Sequence, residues 1–261
     1  MIEEHLMNEL VFSYREIKHS LKFLSFFSHY TQPLYGFTNI EFIKDILPIS
    51  LFTQSLVYKA DFEIELAQKI DAQSNSVQPW LDRKVMLIEM LKHLNIYTPM
   101  AEQEADRLAE YWQLENQMMK GSKIDPPMLK RAIELRASDI LMLHHICQSL
   151  TQVTLSEEAW SCLRSIEFIR DIEADLRHYY DDVQSGDFNI YRMFAKFYGT
   201  DARRLLGQEL KLRKTVYQES IERLPFNCRA IFKELTARYY EERPEIEVPE
   251  MIEHNFALES V

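Results

Sequence analysis

The sequence predicts an all-α protein that folds as a single bundle of about ten helices. Apolar residues recur at three- and four-residue spacing through most of the 261 residues, which is the period of an amphipathic helix. Only five residues are glycine, whereas tight turns and hairpins consume glycine. The glycine motifs GxGxxG and Walker A are also absent. These observations argue against all-β and Rossmann folds and favour packed helices.

Several predicted helices are bounded by residues that start or stop a helix. Pro79 and Pro127 suit first-turn positions, where the missing backbone N–H costs nothing. Ser156 precedes Glu157 and Glu158, and acids in a first turn favour the helix dipole. The predicted helices lie near residues 2–29, 39–57, 60–74, 79–95, 99–119, 126–152, 156–184, 189–198, 200–223 and 226–242.

No internal repeat or low-complexity linker divides these helices. We therefore expect one helical bundle domain at residues 1–243. Residues 244–261 form a separate acidic tail that contains Pro244 and Pro249. Prolines and acids oppose helix continuation here, so the tail is expected to be extended or loosely docked.

Charge and cysteine content restrict the class of partner and the compartment. Lys and Arg number 30 against 41 Asp and Glu, for a formal net charge of −11 at pH 7. Nucleic-acid binding needs an excess of cations, so no nucleic-acid partner is expected. Three scattered cysteines without a CxxC pair indicate a reducing compartment, and we expect a cytoplasmic protein. Neither a signal peptide nor a transmembrane segment is predicted.

Three aspartates share one stripe of the predicted helix 156–184. Successive residues lie about 100° apart around a helix, so Asp171, Asp175 and Asp182 fall within about 40° of one another, and Tyr179 falls beside them. The stripe borders the apolar face. The remaining charges of the segment are placed on the opposite, solvated side, namely Glu167, Arg170, Glu173, Arg177 and Asp181.

Two interpretations of this stripe are open. Like charges one turn apart destabilise a helix, and the cost grows at the margin of a core. A hard divalent cation such as Mg²⁺ would relieve the repulsion, because it takes carboxylate oxygens as ligands. In the structural alternative, Arg170 and Arg177 neutralise the stripe.

A lone aspartate, Asp139, lies amid an apolar stripe of the predicted helix 126–152. A buried carboxylate must be paired, metal-bound or neutral. One candidate partner is Arg136, one turn earlier, which would make a structural ion pair. The alternative is a metal or diphosphate site facing the next helix. The short connection from Thr151 to Leu155 makes the two helices antiparallel neighbours and can bring Asp139 level with Asp171.

These two helices resemble the paired metal-binding motifs of the class I isoprenoid (terpenoid) synthase superfamily. The resemblance rests on RASDILMLHHI at 136–146 and on FIRDIEADLRHYYDDVQSGDFN at 168–189. The second segment is similar to the metal helix of squalene/phytoene-synthase-like and trans-prenyl diphosphate synthase relatives. The dipeptide Arg238-Tyr239 resembles an arginine–tyrosine pair near the C-terminus of terpene cyclases.

The resemblance implies a fold, a cofactor and a substrate. It implies a helical bundle with a central cavity that holds a prenyl chain, and Mg²⁺ held by Asp139, Asp171, Asp175 and Asp182. Asp139, Asp171 and Asp175 would be the catalytic residues that ionise a prenyl (allylic) diphosphate. The residues implied in diphosphate binding are Arg136, Arg238 and Tyr239.

Three functions stay open at this point. The first is an Mg²⁺-dependent prenyltransferase or terpene synthase. The second is a non-catalytic or altered member of the same fold that binds an apolar ligand or a protein partner, which the single aspartate of the first motif favours. The third is an unrelated bundle with a carboxylate di-metal centre. The sequence leaves a monomer and a homodimer equally open.

Overall fold

Helices make up most of the described chain, as the periodicity predicts. The computed structural model describes residues 11–70, 77–120 and 124–252, and no β-strand occurs among them. The all-α class is therefore confirmed for these residues. The predicted helical segments 2–10 and 71–74 and the tail residues 253–261 lie outside the described residues.

The helices begin at capping residues that the sequence supplies. Ser13 and Glu16 form a reciprocal capping box at the first helix. The Ser156 hydroxyl accepts a hydrogen bond from the backbone N–H of Ala159 at 3.3 Å. The α-helices are α1 (Tyr14–Tyr35), α2 (Asn39–Glu41), α3 (Leu47–Ile70), α4 (Gln78–His93), α5 (Pro99–Met119), α6 (Pro126–Arg136), α7 (Ser138–Thr151), α8 (Glu157–Ser185), α9 (Ile190–Tyr198), α10 (Ala202–Arg223) and α11 (Phe226–Glu242), with a π-turn at Phe42–Ile46 and a 3₁₀ turn at Gly199–Asp201.

One predicted boundary is absent. The segments predicted near 39–57 and 60–74 are joined, because α3 runs without interruption from Leu47 to Ile70. No glycine or proline lies between residues 57 and 60 to stop the helix. Asp61 and Glu65 consequently lie inside a long helix, one turn apart on the same side.

One predicted helix is broken. The segment predicted as a single helix at 126–152 ends at Arg136 and starts again at Ser138, with Ala137 between them at ψ 8°. Ser138 and Asp139 have short polar side chains that compete with helical backbone bonds. Asp139 accepts a hydrogen bond from the N–H of Ile140 at 2.8 Å. The break changes the direction of Arg136 relative to Asp139.

Helix α8 runs through the bundle and is enclosed on more than one side. Its most extensive contacts are with α10, while α5 packs on α7 and α1 on α3. The charges predicted on a solvated side of α8 are therefore largely buried: Glu167 is 4% exposed, Arg170 5% and Glu173 0%. That prediction is wrong because α10 and α11 cover this side, where Lys214 lies 2.8 Å from Glu173.

The two adjacent histidines of α7 belong to the packed interior. The His144 side chain is fully buried and lies 2.9 Å from the Tyr35 hydroxyl, and His145 stacks on Trp160.

Within the described residues, no helix combines the length and the apolar character that crossing a membrane requires.

Candidate functional site

A cavity of about 810 Å³ opens between helices α1, α3, α5, α7 and α8. Its wall combines aromatic rings with many charged groups. The acids that line it are Asp61, Glu65, Glu115, Asp139, Glu167, Asp171, Asp175, Asp182 and Asp187. The cations that line it are Lys22, Lys69, Lys120, Arg136, Arg170 and Arg243.

The aspartates singled out in the sequence all line this cavity. Asp139 comes from the first turn of α7, and Asp171, Asp175 and Asp182 come from α8. Arg136, the last residue of α6, lines the same wall. These side chains nevertheless differ in their partners, and the partners decide what each can do.

The Oδ2 atom of Asp175 holds neighbouring elements together. It is 2% exposed and forms an ion pair with Arg136. Its Oδ2 also accepts a hydrogen bond from the backbone N–H of Ile190 at 2.7 Å, at the start of α9. Arg136 is thus the partner of Asp175 and not of Asp139, although its charge partly offsets the rise that burial causes in the pKa of Asp139. Asp175 therefore positions Arg136 and α9.

Asp171 is the carboxylate with unused capacity. Its buried Oδ2 atom has no hydrogen-bond partner among the described residues. Burial raises its pKa to about 8, and nearby Asp139 adds to this effect while Arg136 opposes it. A carboxylate in this position gains free energy from any cation that reaches it.

Burial affects the carboxyl group of Asp139 in a similar way. Burial raises its pKa to about 6, against the hydrogen bond from Ile140 and the charge of Arg136. The pKa of Tyr58 on α3 is raised by burial first and then by Asp139, Asp61 and Asp171. One phenol therefore lies within the electrostatic reach of acids on α3, α7 and α8.

The acid wall on α3 and α5 was not predicted. Burial is the main reason that the pKa values of Asp61, Glu65 and Glu115 are each raised to about 7. Asp61 accepts a hydrogen bond from the indole N–H of Trp112 at 3.0 Å, and Gln68 donates to Glu115 at 3.2 Å.

A signal for this wall was present in the sequence. Asp61 and Glu65 have the same i, i+4 spacing as Asp171 and Asp175. The predicted segment 60–74 contains both acids and places them on one face of a helix. Glu115 has no comparable neighbour on α5, and only the packing of α5 against the cavity reveals it.

The remaining predicted residues lie elsewhere. The Arg238 side chain is 43% exposed and donates to Glu234 at 3.3 Å. Tyr239 is buried, and its hydroxyl donates to Glu173 at 3.0 Å. Neither residue lines the cavity. Asp182 does, where it accepts a hydrogen bond from Asn189 at 2.8 Å.

The donor chemistry fits a hard cation, but the carboxylates are not gathered into a closed metal cage. Among the described residues, no three His, Cys, Asp or Glu side chains are close enough together to hold a metal ion. Mg²⁺ is commonly held by only one or two carboxylates together with substrate phosphates and water. The unpartnered oxygen of Asp171 and the carboxylate of Asp61, which lines the same cavity, are suited to that arrangement.

Comparisons with protein-family models, with curated proteins and with solved structures found no match to this chain. A cavity whose wall carries both acids and cations can hold an anion together with its counter-cations. Its aromatic residues, including Phe23, Phe26 and Tyr58, can contact an apolar or cationic group.

Proposed function

We propose that this cavity binds the diphosphate group of a prenyl diphosphate together with Mg²⁺, and that the chain is a class I isoprenoid synthase-like enzyme. The observation that carries the proposal is the acid pair Asp61 and Glu65 on α3 in the same cavity as Asp171 on α8, with Arg136 in the wall of that cavity. Carboxylates on two sides suit cations, and a guanidinium suits a phosphate.

Each side chain has a distinct part in this proposal. Asp171 and Asp61 would hold Mg²⁺, and Asp139 and Glu65 would add to the negative potential around it. The ion pair with Asp175 fixes the Arg136 guanidinium, which would donate hydrogen bonds to a diphosphate oxygen. When bound, Mg²⁺ would supply the Lewis-acid neutralisation that makes diphosphate a leaving group.

The aromatic residues of the wall would protect the other end of the substrate. Phe23, Phe26 and Tyr58 lie in the same cavity as the acids. An allylic cation reacts with water unless water is excluded, and ring faces stabilise positive charge. The reaction class is chain transfer or cyclisation after ionisation.

The first experiment is calorimetric titration with inorganic pyrophosphate, with and without Mg²⁺. We expect binding only when Mg²⁺ is present, and an increase in melting temperature under the same conditions. Asp171→Asn should weaken this binding about 10-fold or more, because it removes a charged ligand. The matched control is Asp181→Asn, since Asp181 is exposed on the same helix and does not line the cavity. Absence of pyrophosphate binding, or equal affinity of the two variants, contradicts the proposal.

A second candidate is a related protein that binds the diphosphate without converting it. The engagement of Asp175 with Arg136 and Ile190 favours this candidate, because it removes one carboxylate from metal binding. Incubation with geranyl, farnesyl and geranylgeranyl diphosphates and measurement of released pyrophosphate separates the two. Turnover supports the enzyme, and tight binding without release supports the binding protein.

A further inference from the structure

The C-terminal strap, residues 244–252, is docked on the bundle through its main chain. Tyr191 donates to the carbonyl of Pro249 at 3.0 Å, and Tyr180 donates to that of Glu250 at 3.1 Å. Arg203 donates to the carbonyl of Val248 at 2.9 Å. These donors come from α8, α9 and α10, so three helices fix the path of the strap. The sequence predicts an extended or loosely docked tail, whereas residues 244–252 contain no helix and are held by these hydrogen bonds.

Side chains of the strap add to this docking. Val248 is 9% exposed, and a Cβ atom added to Gly207 of α10 would lie 3.8 Å from it. Lys214 lies 2.5 Å from Glu245, and Arg203 pairs with Glu250. The strap is therefore part of the packed structure along its described length.

The strap follows Arg243, whose backbone N–H donates to the carbonyl of Tyr239 in α11 at 2.9 Å and whose backbone carbonyl contacts α8. Arg177 donates to the carbonyl of Pro244 at 2.8 Å and to that of Arg243 at 3.4 Å. Arg177 is itself held 3.5 Å from Glu173, which is fully buried. The position of the Arg243 backbone thus depends on the contacts of Arg177 with the backbone of residues 243 and 244 and with Glu173.

The side chain of Arg243 extends from this backbone position towards the cavity. Its guanidinium carbon lies 4.8 Å from the ring centroid of Phe26, and both residues line the cavity wall. In the part of the chain that the structure describes, Arg243 forms no ion pair. An exposed guanidinium beside an aromatic ring, without a carboxylate partner, is suited to an anionic ligand.

We propose that Arg243 contacts the anionic group of the bound ligand and that the docked strap is its positioning element. This inference rests on the proposed function, since it assumes a phosphate-bearing ligand in the cavity. It couples two events: docking of the strap places Arg243, and a ligand that contacts Arg243 favours the docked strap by the same factor.

The contact is tested by Arg243→Ala, with Arg238→Ala as the matched control. Arg238 lies near the end of α11 and outside the cavity. In calorimetric titration of inorganic pyrophosphate with Mg²⁺, Arg243→Ala should raise Kd about 10-fold and reduce the salt dependence of binding. Arg243→Lys should recover part of the affinity. If the wild type binds pyrophosphate and the two alanine variants bind it equally, this inference fails while the proposed function survives. If the wild type does not bind, both fail.

The positioning role is tested on the far side of the strap. Arg203→Ala removes both strap contacts of Arg203, and Arg204→Ala is its neighbour on α10, paired with Asp201. We expect Arg203→Ala to raise the Kd for pyrophosphate about three-fold. This corresponds to a strap that stays docked in about one third of the molecules, because the apparent Kd is the intrinsic Kd divided by the competent fraction. Pyrophosphate should also slow amide hydrogen exchange in residues 244–252 of the wild type but not of Arg243→Ala. The positioning role is overturned if Arg203→Ala binds pyrophosphate with unchanged affinity. It is also overturned if pyrophosphate does not change the rate of amide hydrogen exchange in residues 244–252 of the wild type.

Discussion

Glu115 permits a quantitative test of the acid wall, because its carboxylate is 6% exposed and its charge is poorly compensated. Burial raises its pKa from 4.5 to about 7, against hydrogen bonds from Gln68 and Tyr111. One pKa unit corresponds to about 1.4 kcal/mol, so ionised Glu115 costs the folded state about 3 kcal/mol. The variant Glu115→Gln keeps the shape and the acceptor oxygen but cannot ionise.

The sign of the effect follows from proton linkage. Between pH 4.5 and 7 the unfolded chain ionises Glu115 while the folded chain keeps it protonated, so stability falls as the pH rises through this window. Above pH 7 the cost is complete. Glu115→Gln should therefore exceed the wild type in free energy of unfolding by about 3 kcal/mol at pH 8 and by about 1 kcal/mol at pH 5.

Urea denaturation at pH 5 and pH 8 measures both differences. Glu241→Gln is the control, since Glu241 is exposed at the end of α11 and its loss should change stability by less than about 0.5 kcal/mol at either pH. A Glu115→Gln variant that is no more stable than the wild type at pH 8 would refute the reasoning, because it would mean that the buried carboxylate is ionised at no cost.

Two further predictions concern residues whose roles the structure assigns to folding. Asp175→Asn should lower the free energy of unfolding by about 2–4 kcal/mol, because it leaves Arg136 without its ion-pair partner and weakens the hydrogen bond to Ile190. The control Asp181→Asn should change the free energy of unfolding little. Equal stability of the two variants in urea denaturation would argue against this role of Asp175. Gly186→Ala should cost about 1 kcal/mol, because Gly186 ends α8 at φ 79° with open space around it; a differential scanning measurement with no decrease in melting temperature would contradict a backbone cost.

The sequence predicts the helices well where local signals are strong. Ser156 caps the start of α8 and Gly186 ends it, close to the predicted bounds 156–184. The start of α5 at Pro99 follows in the same way from Thr98 and the proline. Such ends depend on neighbouring residues alone, so a single sequence contains the information.

The break at Ala137 shows where local reasoning fails. Apolar spacing continues across residues 126–152, so periodicity alone indicates one helix. The polar side chains of Ser138 and Asp139 permit a break. Beyond their shared neighbours α5 and α8, helix α6 packs on α9 whereas α7 packs on α1 and α3, and local sequence does not contain these contacts. The burial of Glu173 has a similar cause, since its partners Lys214 and Tyr239 are distant in sequence.

Asp171 and Asp175 show why a stripe of acids does not by itself define a site. Both occupy the same face of α8, one turn apart, and the sequence assigns them the same role. Their difference comes from Arg136, which is 39 positions from Asp175, and from the first N–H of α9. Asp175 receives both donors, whereas Asp171 keeps an oxygen without a partner. Because an oxygen that already accepts two hydrogen bonds cannot bind a cation without losing its donors, we expect the capacity for ligand binding on α8 to reside mainly in Asp171, with Asp61 of the same cavity as its proposed counterpart.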